Sequence, residues 1–331
     1  MRHWLRRAAG WRAGDPARGV QLALGLLWLI DGALQFQPYM FSAQFVTQTL
    51  EPAANSVPGG AGRFIITIDQ FLLPHIGWWN AVFATIQLVI GLGLLWPRTV
   101  RMALAGSVVW SLLVWWLGEG FGGIFSSASP LMGWPGAVLL YALLAVLAWP
   151  RKERRLGSHD RSVAERSPLG RVGACTAWLL LWTGAAAYLL LPVNRSPGSM
   201  ESMIASMSEG QPSWVMSMNR ALAAVAEYHG TQLSIALAVL CCVVGLSVIV
   251  PWDPRPVLIV AAFISLVFWL GEDFGGVFTG SGTDVNTGPL LIILVGTYWR
   301  PGRQSLGHLA SRLQPVAALP YRERQPVGGL S

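Results

Sequence analysis

Charge is scarce in this sequence. Only 12% of its 331 residues are Asp, Glu, Lys or Arg, and 53% are hydrophobic. A soluble globular chain carries about 25% charged residues. That deficit, with apolar runs of about 17 to 21 residues, excludes an ordinary soluble domain and predicts an all-α polytopic membrane protein. Cysteine is nearly absent: Cys175, Cys241 and Cys242 are the three present, and no CxxC occurs. A disulfide framework is excluded, and thiol chemistry on an outer face is not expected. A nucleotide-binding loop, a nucleophile elbow and a haem-attachment motif are also missing. The net charge of +7 does not point to nucleic acid, because the basic residues sit almost entirely between the apolar runs.

What is present is a repeated stretch. Trp115-Trp116-Leu117-Gly118-Glu119-Gly120-Phe121-Gly122-Gly123-Ile124-Phe125 returns as Phe268-Trp269-Leu270-Gly271-Glu272-Asp273-Phe274-Gly275-Gly276-Val277-Phe278, with eight of eleven positions identical. Each copy ends an apolar run and sets one carboxylate against a glycine-rich turn. The spacing around it repeats as well. His75 to Gly91 and His229 to Gly245 are both 16 residues, and Gly91 to Pro97 and Gly245 to Pro251 are both 6. These intervals predict a tandem duplication of a four-helix unit. An even number of spans per unit gives two parallel bundles, about eight spans, related by an axis along the membrane normal.

The expected organisation is a basic N-terminus (1–19), a first four-span unit (20–150), a basic linker (151–171), a second unit (172–300) and a basic tail (301–331). The first basic segment and the run after it resemble a signal peptide but lack a convincing cleavage site, so the first span is read as retained. In an eight-span layout the arginine-rich segments all fall on one side. The positive-inside rule then places both termini in the cytoplasm of a cell inner membrane. The lipid bilayer is the first expected partner. The last span, Gly288 to Trp299, is short: twelve residues of helix reach only about 18 Å, against a hydrocarbon core of roughly 30 Å. Either its helix extends through Asp284 or the preceding loop dips into the bundle under protein shelter.

Span two starts and span three ends on the same face. His75 should therefore meet Glu119, and His229 should meet Glu272, at the outer surface. Two readings compete. In one, each Glu accepts backbone N–H bonds from its glycine turn and braces the loop. In the other, the acids form a functional site, because an ionisable group at bilayer depth costs roughly 2.5–3.5 kcal/mol and burial suits it to carry a proton. Imidazole plus carboxylate also suits Zn or Cu. The Met-rich segment around Met203 and Met207 offers soft ligands for copper, although Met200, Met203, Ile204 and Met207 equally form one helical packing stripe. Asp31, inside the first apolar run, is a candidate third polar member of the first site. The many Trp residues near outer span ends fit an aromatic belt or the wall of a quinone or lipid site.

The run Gln87-Leu88-Val89-Ile90-Gly91-Leu92-Gly93-Leu94-Leu95-Trp96-Pro97-Arg98, with Gly25-Leu26-Leu27-Trp28-Leu29-Ile30-Asp31-Gly32 before it, resembles the first two helices of DoxX-like (DoxD-like) proteins. These are four-helix membrane proteins that include the small subunit of thiosulfate:quinone oxidoreductase. The resemblance implies an accessory or catalytic membrane subunit of a redox system, with quinone as cofactor and an extracytoplasmic or membrane redox partner. Outer-face handling of Cu or Zn and a non-catalytic membrane scaffold are the alternatives.

Overall fold

The computed structural model describes residues 15–150, 161–196, 198–249 and 253–300. Among them every regular element is helical. We number ten helices: α1 (Pro16–Leu34), α2 (Gly59–Leu72), α3 (Ile76–Leu95), α4 (Val100–Leu117), α5 (Ala137–Leu147), α6 (Gly170–Leu189), α7 (Ser199–Ser206), α8 (Ser213–Leu246), α9 (Arg255–Gly271) and α10 (Thr287–Tyr298). Five stretches are long and apolar enough to cross a bilayer: Pro16–Leu34, Gly59–Leu95, Val100–Leu117, Gly170–Leu189 and Ser213–Ile249. The helices α5, α9 and α10 are apolar but shorter. The basic N-terminus, most of the linker, the Pro251-Trp252 turn and the C-terminal tail lie outside the described residues.

Local chemistry sets the ends. Asp15 caps α1, its carboxylate accepting from Ala17 N at 3.1 Å, with Pro16 in the first turn, where its missing N–H costs nothing. Pro58 caps α2. Between α1 and α2 an apolar stripe turns inward. Phe45, Val46 and Leu50 are buried with Met40 and Ile76 in a small cluster of their own. The segment carries a π-helical stretch at Val46–Leu50 that runs straight into Glu51–Asn55. In the second half α8 runs unbroken for 34 residues from Ser213 through His229, since no proline interrupts Ser213–Leu246.

Small residues let the helices touch. A Cβ on Gly91 would fall 2.8 Å from Leu29 and 3.0 Å from the Gly25 carbonyl, so α1 and α3 meet backbone to backbone. α6 and α8 meet the same way, a Cβ on Gly245 falling 3.0 Å from Thr183. Close approach at small residues is the main source of helix association where lipid removes the hydrophobic driving force. The two short helices occupy the middle. Eight of the eleven residues of α5 and eight of the twelve of α10 are buried, and the two pack on each other. The long helices surround them and turn Leu26, Val89, Leu92, Met102, Val172, Leu180, Ile259 and Phe263 outward. An exterior of this kind suits lipid. α10, the helix of the short last apolar run, is sheltered by protein on most of its surface.

Candidate functional site

The two glycine turns have closely matching geometry. Glu119 and Glu272 each reach across to the start of the next helix. Glu119 Oε1 accepts from Val138 N at 3.3 Å, in the first turn of α5. Glu272 Oε2 accepts from Thr287 N at 3.1 Å and Gly288 N at 3.4 Å, in the first turn of α10, and its Oε1 accepts from the Thr287 hydroxyl. A carboxylate suits that place because helix N-termini present unpaired N–H groups and a positive dipole end. An indole braces each turn: Trp115 Nε1 donates to Pro135 O at 2.9 Å, and Trp269 Nε1 to Val285 O at 3.0 Å. An edge-on phenylalanine follows, Phe121 against Trp115 at 5.2 Å and Phe274 against Trp269 at 5.1 Å. Phe121 and Phe274 both have positive φ, as do the glycines after them. A Cβ on Gly122 would sit 1.8 Å from the Pro135 carbonyl oxygen, which only glycine avoids.

The sequences pair Trp116 with Trp269, yet the bracing indole of the first turn is Trp115. The cause is a wide turn: Glu119 N bonds to Val114 O, five residues back, whereas Glu272 N bonds to Phe268 O, four back. Trp116 instead lies outside, stacked on Phe64 at 5.5 Å.

The glutamates differ in what is left over. Every Glu272 oxygen is engaged and the residue is fully buried. Glu119 Oε2 is buried with no hydrogen-bond partner, because Ala137 stands at the first position of α5 where α10 has the hydroxyl of Thr287. Glu119 lines a cavity of about 330 Å³. Asp31 from α1, Asp69 from α2 and Asp284 from the loop before α10 line it too, with Gln35 and Gln87. Trp28, Trp79, Phe83 and Trp110 supply its aromatic wall, the last two 5.6 Å apart. Asp69 Oδ2, Gln35 Oε1, Gln87 Oε1 and Trp110 Nε1 are likewise buried without partners. No Lys, Arg or His is among the residues lining this cavity.

Burial pushes the Glu119 carboxyl well above its ordinary range, and the neighbouring Asp284 charge pushes it further. Burial raises Asp284 as well. Glu272 is pushed up to about 8 by burial, held back by its Thr287 and Gly288 donors. Asp273 is pushed up to about 6 by burial, against the bond from Asn219.

Loops are exchanged between the halves. Val285 N donates to Asp31 Oδ1 at 3.3 Å, Gln35 Nε2 to Thr283 O at 3.4 Å, and Gln37 Nε2 to Gly282 O at 3.2 Å. In return Tyr188 donates to Ile124 O at 2.7 Å and Asn194 to Ser127 O at 2.9 Å. Trp134 stacks on Tyr188 at 4.8 Å and fills the space over Gly184, where a Cβ would lie 2.6 Å from its ring. Gly184 stands where the first half has the region of Asp31, so an indole takes the room that the first half leaves open.

The expected His–Glu pairs are not brought together. His75 and His229 are exposed, and no ion pair between them and Glu119 or Glu272 exists among the described residues. The glutamates turn inward to helix starts instead. Among the described residues no group of three or more His, Cys, Asp or Glu is placed to hold a metal ion. Met203 is partly buried and Met200 and Ile204 are buried within the core, which is the packing form of that stripe. Asp31 does share the first site with Glu119, accepting from the Tyr141 hydroxyl. Asp69, Asp284, Gln35 and Gln87 were not foreseen. The one hint was their polarity inside or beside apolar runs. No family model, no curated protein and no solved structure matches this chain.

Proposed function

We propose that this chain is an integral membrane protein of eight spans, two parallel four-helix units copied in tandem, and that its working part is the carboxylate-lined cavity of the first unit. Membrane residence is supported by the five long apolar helices. The duplication is supported by the two matching turns and by the reciprocal exchange of loops. The observation that carries the functional reading is the difference between the twin glutamates. Glu272 is a fully engaged brace, whereas Glu119 leaves Oε2 unpaired beside a cavity. An unpaired buried acceptor costs about 1–3 kcal/mol, and a ligand in the cavity would remove that cost. A cavity of this size lies at the lower end of small-molecule sites, about 300–1,000 Å³.

A quinone-linked redox role, which the DoxX-like resemblance implies, is the second reading. The unpaired indole N–H of Trp110 favours it, since a quinone oxygen would accept from it while unpaired carboxyl and amide oxygens take the protons of a quinol. The test is occupancy. Protein purified in lipid nanodiscs is extracted and analysed by mass spectrometry for retained small molecules, beside a Val114→Trp variant that fills the cavity. We expect a bound species, or saturable binding from a panel of ammonium and quinol probes, in the wild type and its loss in Val114→Trp, with elution and circular dichroism unchanged. No retained species, with probe binding identical in both proteins, would overturn the reading.

A further inference from the structure

We propose that the first-unit cavity selects a small organic cation, an aryl- or alkylammonium, as its ligand. This rests on the cavity being the working site and adds the chemical class of its occupant. Four carboxyl groups, Asp31, Asp69, Glu119 and Asp284, line one cavity, and no basic side chain among the lining residues balances them. Such an arrangement is self-repelling unless a positive charge or protons enter. Three side chains more than nine-tenths buried, Asp69, Gln35 and Gln87, contribute oxygens with no partner. Acceptors therefore outnumber donors inside the space, and the missing component is a donor or a cation.

The rest of the wall narrows the choice. A bare metal ion would need at least three converging ligands, and no such group is formed among the described residues. Indole and phenyl rings cover much of the cavity instead, with Trp79 stacked on Phe83 at 6.5 Å and Phe83 tilted against Trp110 at 5.6 Å. Rings attract a weakly hydrated cation through their negative faces, most strongly once water is excluded, and ammonium groups held by aromatic walls are the standard use of that attraction. The carboxylates supply the counter-charge and the rings the apolar fit.

The experiment uses the full chain in maltoside micelles, whose neutral sugar headgroups carry no ammonium group and do not concentrate cations. Benzyltrimethylammonium is titrated by calorimetry, with 2,3-dimethoxy-5-methylhydroquinone as the neutral comparator. The expected result is saturable binding of the ammonium near one per chain, weakened at least tenfold by Asp69→Asn and by Glu119→Gln. Glu201→Gln, outside the cavity, leaves it unchanged. Both cavity substitutions keep side-chain shape, and folding of each is checked by thermal melting. Binding of the ammonium that is indifferent to both carboxamide variants would overturn the proposal. Binding of the hydroquinone without the ammonium would overturn the cationic class while leaving the cavity as the working site. Binding of neither would remove both.

Discussion

At the scale of single residues, the twin glutamates predict opposite behaviour. Glu272→Gln keeps one accepting oxygen for the Thr287 and Gly288 N–H groups and puts an NH2 in place of the other, where the Thr287 hydroxyl can turn to accept one proton and the second is left unpaired in a buried site. We expect it to lower stability by about 1–3 kcal/mol, read as a drop in melting temperature. Glu119→Gln, whose parent makes one long bond, should cost less than half as much. Titration gives a second handle. Glu272 ionises near 8 in the folded protein and near 4.3 in an unfolded chain. Between those values the folded state holds a proton that the unfolded state has released, so stability falls as pH rises through this window and levels above about 8. Melting in detergent should fall between pH 5 and 8, and Glu272→Gln should flatten that slope. An unchanged slope would place the titration elsewhere. The sequence made both glutamates visible but not their difference, because the difference lies in Ala137 against Thr287, residues separated from them by 18 and 15 positions. The equal spacing of His75 and His229 was misleading at this scale. His75 stands at the start of α3 and His229 in the middle of α8, and both are exposed.

At the scale of elements, the glycine turns are the parts least able to change. Gly122→Ala must hold φ near +61° with its methyl group against the Pro135 carbonyl. The left-handed backbone costs roughly 1–2 kcal/mol and the overlap about 1–3 kcal/mol more. Gly296, on the exposed side of α10 with open space around it, is the control. Gly296→Ala should be neutral or stabilise by up to about 1 kcal/mol. Thermal melting of the two variants checks both. The helices themselves were largely legible. The long apolar runs bounded by Pro, Gly and Arg became separate helices, since such boundaries leave few alternatives. The exception, α8, merged with the connection before it, since Ala221–Glu227 is as good a helix former as the span that follows. The cavity was not legible, for it is assembled from seven separate segments, and a Gln or Asp in one helix says nothing about which others it will face.

At the scale of the whole molecule, the proposed eight-span layout makes a topological prediction. In a cysteine-free background, Ser281→Cys should react with an impermeant maleimide added outside intact cells, and Arg98→Cys only after the membrane is opened. Both positions are exposed, so labelling reports side rather than burial. Reaction of both from one side would break the arrangement of spans.

The loop of residues 282–285 crosses from the second half to lie over the acids of the first, held there by three contacts of 3.2–3.4 Å. Each half thus depends on its neighbour for closure. A chain shortened to its first half would lose Thr283 and Asp284 from the wall of that chamber, and a visitor there meets a surface that belongs partly to the neighbour. The shape of the chamber is then set in part by the seam between the halves, and altering that seam is a way to change it.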